Sequence, residues 1–158
     1  MKSELLIATL IIFLHNLFTV IWMGGLIVTV ISYLPALKKA LGVGPQVKKV
    51  MQQYQNIQAR WVAASMVGLI LTGVMMMQRS TGSIRLFMFS DPYSAILSLK
   101  HILVVLMIAI ALYRSLVLGR KKDPLTQSQE KLNMALLLVN AGLAVVVLLA
   151  SAGIATLV

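Results

Sequence analysis

Long apolar runs separated by short polar stretches organise this chain. Four of them, Leu5–Leu34, Trp61–Gln78, Ala95–Tyr113 and Leu132–Val158, are long enough to cross a hydrocarbon core, which takes about 20 apolar residues in helical form. Short connections favour antiparallel neighbours. The pattern therefore predicts an all-α integral membrane four-helix bundle, one transmembrane domain over residues 1–158. The first run far exceeds the ~7–15 apolar residues of a signal-peptide core and lacks a small-residue cleavage site, so it reads as a retained helix.

Local signals place the helix ends. Gly42-Val43-Gly44-Pro45 breaks the chain, and proline suits a first helical position, so the second helix is expected to begin ahead of its apolar run. Val47, Val50, Met51, Tyr54 and Ile57 recur at helical spacing and give that lead-in one apolar face, completing a short helical hairpin. Asp91 before Pro92 reads as a cap opening the third helix, and Thr126 with Gln129 as a capping box opening the fourth. The segment Ile84-Arg85-Leu86-Phe87-Met88-Phe89 is too apolar for a solvated loop and is expected at the membrane interface or as a lid. Ala64, Gly68 and Thr72 form a small-residue stripe, and Gly24-Gly25 thins the first helix, as close helix contact in lipid requires.

Composition sharpens the class. Of 158 residues 59% are hydrophobic, and the formal net charge is +10. Lys38, Lys39, Lys48, Lys49 and Arg60 fill the first connection and Arg114, Arg120, Lys121, Lys122 and Lys131 the third, whereas the second carries Arg79 and Arg85. Connections one and three are thus expected on the cytoplasmic side, with both termini outside, in a multi-pass protein of the cytoplasmic membrane. Cations beside apolar spans set orientation and touch anionic headgroups in the lipid bilayer, so nucleic acid is not an expected partner. A homo-oligomer stays open. With no cysteine, thiolate metal sites and covalent haem attachment are excluded, and any metal must be held by His, Met or oxygen, or inside a cofactor.

His15 and His101 are the two histidines of the chain, and both lie inside apolar runs. Polar groups at such depth face an interior and bind or relay something. Each lies roughly 14–15 Å from its expected outer helix start at 1.5 Å per residue. Matched depth on two helices suits the two axial ligands of a haem b, with neutral imidazole binding iron. In that arrangement Lys100, Arg85 and Arg79 supply cations for the propionates, Trp22 walls the ring, and Gly25 leaves room for it. The plainer alternative is that each histidine makes one interhelical hydrogen bond, that Lys100 snorkels to headgroups and that Trp22 packs as core. His15, Thr19, Trp22, Leu26 and Thr29 share one helix face. Asn16 and Asn140 are read as hydrogen-bonding partners between helices.

The stretch His15-Asn16-Leu17-Phe18-Thr19-Val20-Ile21-Trp22-Met23-Gly24-Gly25, the Arg60 entry to the second helix, the Gly68–Gly73 region and Ser98-Leu99-Lys100-His101 resemble the CopD-like membrane domain and its relative, the HemJ-type protoporphyrinogen oxidase. The resemblance spans nearly the whole chain. It implies a four-helix membrane protein, with haem b in HemJ-type members and copper uptake in the proteins that gave CopD its name. The HemJ-type motif pairs a first-helix histidine, matching His15, with a third-helix lysine, matching Lys100. His101 beside that lysine departs from the motif, favouring two-histidine haem ligation over protoporphyrinogen chemistry.

Copper is the competing chemistry. Met75, Met76 and Met77 end the second apolar run and Met88 follows in the loop, and thioethers with imidazole suit Cu(I). Consecutive methionines diverge by about 100° on a helix, so one or two can face a single ion. Glu4, Asp91, Asp123 and Glu130 all lie at ends or in loops, which leaves no carboxylate inside the spans and no hydrolytic constellation. The reading is a haem-b-binding, cytochrome-b-like electron-transfer protein with His15 and His101 on the iron and quinone or a redox protein as partner. Copper binding or import across the cytoplasmic membrane is the alternative, HemJ-like protoporphyrinogen oxidation, as the resemblance implies, is a further one, and any enzymatic activity would be of oxidoreductase type.

Overall fold

The computed structural model describes residues 2–42, 44–81, 89–119 and 125–156. The expected Ile84–Met88 part of the lid, including Arg85, lies outside the described residues, as do Arg120, Lys121 and Lys122. Four of the described helical stretches are long and apolar enough to cross a membrane: Ser3–Leu41, Pro45–Arg79, Pro92–Leu118 and Gln127–Ala155. They are called the first to fourth helix below. All the described regular structure is helical, as the sequence pattern predicts. The helices group into two compact units, Met1–Arg85 and Leu86–Val158, each a hairpin of two helices.

In the first unit, the first helix is longer than its apolar run. It continues past Leu34 to Leu41, about 58 Å of helix against a hydrocarbon core of about 30 Å. Two wider π-turns interrupt it, at Val20–Gly24 and Thr29–Tyr33. The second lies just ahead of Pro35, whose ring lacks an N–H and crowds the carbonyl four residues back, so the regular ladder cannot close there. Gly42 ends the helix at φ +70 with its N–H on the Lys38 carbonyl at 2.9 Å, a left-handed turn that glycine adopts without a Cβ penalty.

The second helix then starts at Pro45 and runs unbroken to Thr81, so the polar lead-in and the apolar run are one element. Its buried stripe is Ser65, Met66, Gly68, Leu69 and Thr72, whereas Ala64 is exposed and does not belong to the contact face. Gly68 is the point of closest approach, since a Cβ there would collide with the Phe18 ring. At the other end of the hairpin Tyr33 stacks on Tyr54 with ring centroids 4.1 Å apart.

In the second unit, both helix starts are capped. The Asp91 carboxylate accepts the Ser94 N–H at 2.8 Å, and Thr126 and Gln129 form the reciprocal box. Those hydrogen bonds with the Ser94 N–H and hydroxyl hold the Asp91 carboxyl below its ordinary pKa. The third helix ends in a π-turn, Tyr113–Leu118, closed by the Gly119 N–H on the Arg114 carbonyl at 2.9 Å. On the fourth helix Leu137, Asn140, Ala141, Ala144 and Val147 are buried at helical spacing. The large apolar residues on the other faces, such as Val105 and Leu149, are exposed, as lipid-facing positions must be.

Candidate functional site

A polar contact inside the first hairpin joins His15 to the second helix. Its Nδ1 lies 2.9 Å from the Thr72 hydroxyl, which is buried at 5% exposure. Thr72 has one hydroxyl proton, and it points to the Gly68 carbonyl four residues back at 2.7 Å. The hydroxyl oxygen must then accept, so His15 donates from Nδ1–H. That assignment fixes the tautomer and puts the imidazole lone pair on Nε2. The ring lies over Gly73, whose added Cβ would sit 3.8 Å from the His15 Cε1. A hydrogen bond of this kind orients an imidazole and raises its basicity as a donor.

His101 reaches the same tautomer by a different route. Its Nδ1 lies 2.7 Å from the Leu97 carbonyl oxygen, one turn back on its own helix. A carbonyl only accepts, so Nδ1 carries the proton and Nε2 the lone pair. His101 belongs to the second unit and His15 to the first. Lys100 is half-buried beside it.

One turn from the His15–Thr72 pair, towards the N-terminal end of the first helix, lies an open crevice of about 270 Å³ lined by Ala8, Ile11, Ile12, Met76 and Arg79. Met76 follows Thr72 by four residues, about 6 Å along the helix axis, and is half-buried, whereas Met75 is exposed. The Arg79 guanidinium donates to the main-chain carbonyl of Glu4 at 3.0 Å.

Further along the inward face of the first helix, Trp22 is fully buried with its indole N–H unpartnered. Next comes Thr29, whose hydroxyl donates to the Gly25 carbonyl at 2.6 Å and receives the Tyr54 hydroxyl at 2.6 Å. The Gln58 amide lies 3.2 Å from Thr29 and covers Gly25, where a Cβ would come within 2.9 Å of the amide nitrogen. Gly25 therefore makes room for a side chain of the neighbouring helix. The stripe His15, Thr19, Trp22, Leu26, Thr29 does turn inward, from half-buried at His15 and Thr19 to buried at the other three.

Two expectations need correction. Asn16 is exposed, and Asn140, though fully buried, has neither its amide N–H nor its carbonyl paired, so neither serves as an interhelical hydrogen bond. The residues that do are Thr72, on the second helix opposite His15, and Tyr54 and Gln58, on the lead-in ahead of its apolar run. Among the described residues no three of His, Asp and Glu cluster as a metal site. A metal held in this hairpin would draw on the single His15 imidazole and methionine sulfur, a donor set that fits Cu(I).

The fold defines a multi-pass α-helical membrane protein. The family model for copper resistance protein D matches residues 48–154, about two thirds of the chain, and the chain belongs to that family. The matched stretch contains Thr72, Met76, Lys100 and His101, and His15 precedes it. No match was found among the curated proteins or the solved structures.

Proposed function

We propose that this protein binds Cu(I) in its first hairpin and passes it across the cytoplasmic membrane, with His15 Nε2 and the Met76 thioether as donors. The observation that carries the reading is the His15–Thr72 hydrogen bond, which presents a basic Nε2 one turn from a methionine lining an open crevice. A two- or three-ligand set of imidazole and thioether binds Cu(I) while leaving it exchangeable, as a transported ion requires. Membership of the copper resistance family supports the choice of metal.

Haem b with an electron-transfer role is the second reading. The feature that favours it is that His101, like His15, keeps its lone pair on Nε2, the nitrogen that serves as axial donor. One preparation separates the two. Purified protein should bind one equivalent of Cu(I) in competition with a chromophoric chelator and lose it in His15→Ala, while His101→Ala retains it and no Soret band is present. A haem spectrum in protein as purified, abolished by either histidine variant, would instead establish the second reading.

A further inference from the structure

Arg114 stands where the third helix closes in its π-turn, Tyr113–Leu118. Its Nε donates to the side-chain oxygen of Asn133 on the fourth helix at 2.8 Å. A guanidinium only donates, so the amide oxygen is the acceptor and the Asn133 NH2 is left as a donor. That bond fixes the plane of the guanidinium, and among the described residues no carboxylate takes its two terminal NH2 groups. Glu130, about one turn earlier on the fourth helix, is engaged in an interaction of its own. The apolar surface does not end at this level. Leu116 and Val117, which follow Arg114, and Leu132, which precedes Asn133, are all exposed, so acyl chains are within reach of the half-buried guanidinium. A charge at that depth is costly until a partner neutralises it.

We infer that this end of the second hairpin holds one anionic phospholipid by its phosphate, with Arg114 as the fork and the acyl chains against Leu116, Val117 and Leu132. The terminal NH2 groups of a guanidinium match two phosphate oxygens side by side, a geometry that lysine does not offer. Basic pockets between membrane helices recognise anionic headgroups in this way. The apolar rim selects the source of the phosphate. Free phosphate has nothing to lay on leucine and valine, whereas a lipid covers them as it neutralises the guanidinium. Lys131 is the contrast: it is exposed and two residues from Asn133, which turns it about 200° around the fourth helix, away from Arg114. The site draws on none of the copper donors of the first hairpin.

The test is native mass spectrometry of the full-length protein in detergent, with dioleoyl phosphatidylglycerol, dioleoyl phosphatidylcholine and inorganic phosphate as probes. One phosphatidylglycerol should bind about 10-fold more tightly than phosphatidylcholine and than any further phosphatidylglycerol, and excess inorganic phosphate should not displace it. Arg114→Gln should weaken that first site by about 10-fold, Arg114→Lys should restore it only in part, and Lys131→Gln should leave it almost unchanged. The lipid preference, the single site and the phosphate competition are read on the unmodified protein, so the test stands even if Arg114→Gln fails to fold. A ladder of equally weak phosphatidylglycerol adducts, or equal losses in Arg114→Gln and Lys131→Gln, would mean diffuse surface charge and overturn the site. Displacement by inorganic phosphate would overturn the lipid as its ligand.

Discussion

In the first hairpin the imidazole of His15 is held by a hydroxyl on the neighbouring helix, whereas in the second His101 is held by a main-chain carbonyl of its own helix. The tautomer is the same, but the dependence is different. His15 points where it does only while the two helices of its hairpin are docked, and His101 would keep its geometry on an isolated helix. The same contrast extends along both hairpins. Side-chain hydrogen bonds cross the first at Thr72, Tyr54 and Arg79. In the second, Arg114 bonds Asn133 at 2.8 Å near one end, while the mid-helix amide of Asn140 is buried without a partner. Polar contacts thus set the position of chemical groups in the first hairpin.

The largest expected break of this contrast is Gly68→Ala. The new methyl collides with the Phe18 ring and should cost about 1–3 kcal/mol as overpacking, lowering the thermal midpoint. Gly142→Ala, with nothing within 4 Å of the added Cβ, should be neutral or slightly stabilising. Equal effects from the two would show that the first hairpin is not closely docked. Next comes Thr72→Val, which leaves His15 without its hydroxyl acceptor and should weaken Cu(I) binding by about 10–100-fold, the usual loss for a ligand's hydrogen-bond partner. Thr72→Ser should restore it. An affinity unchanged in Thr72→Val would mean that the hydroxyl does not orient the donor.

Asn140→Leu tests the opposite half of the comparison. Removing an unpaired buried amide should stabilise the protein, by about 1 kcal/mol, whereas Thr29→Val in the first hairpin should destabilise it by about as much, through loss of its interhelical bond. A strongly lowered midpoint in Asn140→Leu would contradict the account of the second hairpin. The smallest effect concerns the two caps there. Folding lowers the Asp91 pKa, so the stability it confers is fully present above the ordinary carboxylate value of about 4. It is lost as pH falls through the lower folded value. Amide exchange at Ser94, corrected for its intrinsic rate, should accelerate below that pH, while Gln129 at the uncharged Thr126 cap should not change. Parallel behaviour of both amides would remove the electrostatic explanation.

Much of the architecture could be read from hydrophobic runs and caps. Pro45, Asp91 and Thr126 open helices where their side chains dictate, because capping depends on three or four consecutive residues. The continuation of the first helix to Leu41 was less visible, since it carries Lys38 and Lys39 and hydropathy alone stops at Leu34. The His15 face was readable from spacing, but its partner was not: nothing local marks Thr72 as a hydrogen-bond acceptor until the docked helix places it 2.9 Å from Nδ1. Asn140 shows the converse, since a polar residue in an apolar run predicted a hydrogen bond that the packing does not supply.

The most direct test of the central claim, that Thr72 presents His15 Nε2 to Cu(I), is nitrogen-15 NMR of histidine-labelled protein titrated with Cu(I). His15 should begin as the Nδ1–H tautomer, and its Nε2 resonance alone should shift as one equivalent binds, with Nδ1 remaining protonated. A His15 spectrum that does not move while copper binds, or one in which Nδ1 is the nitrogen that takes the metal, would contradict it.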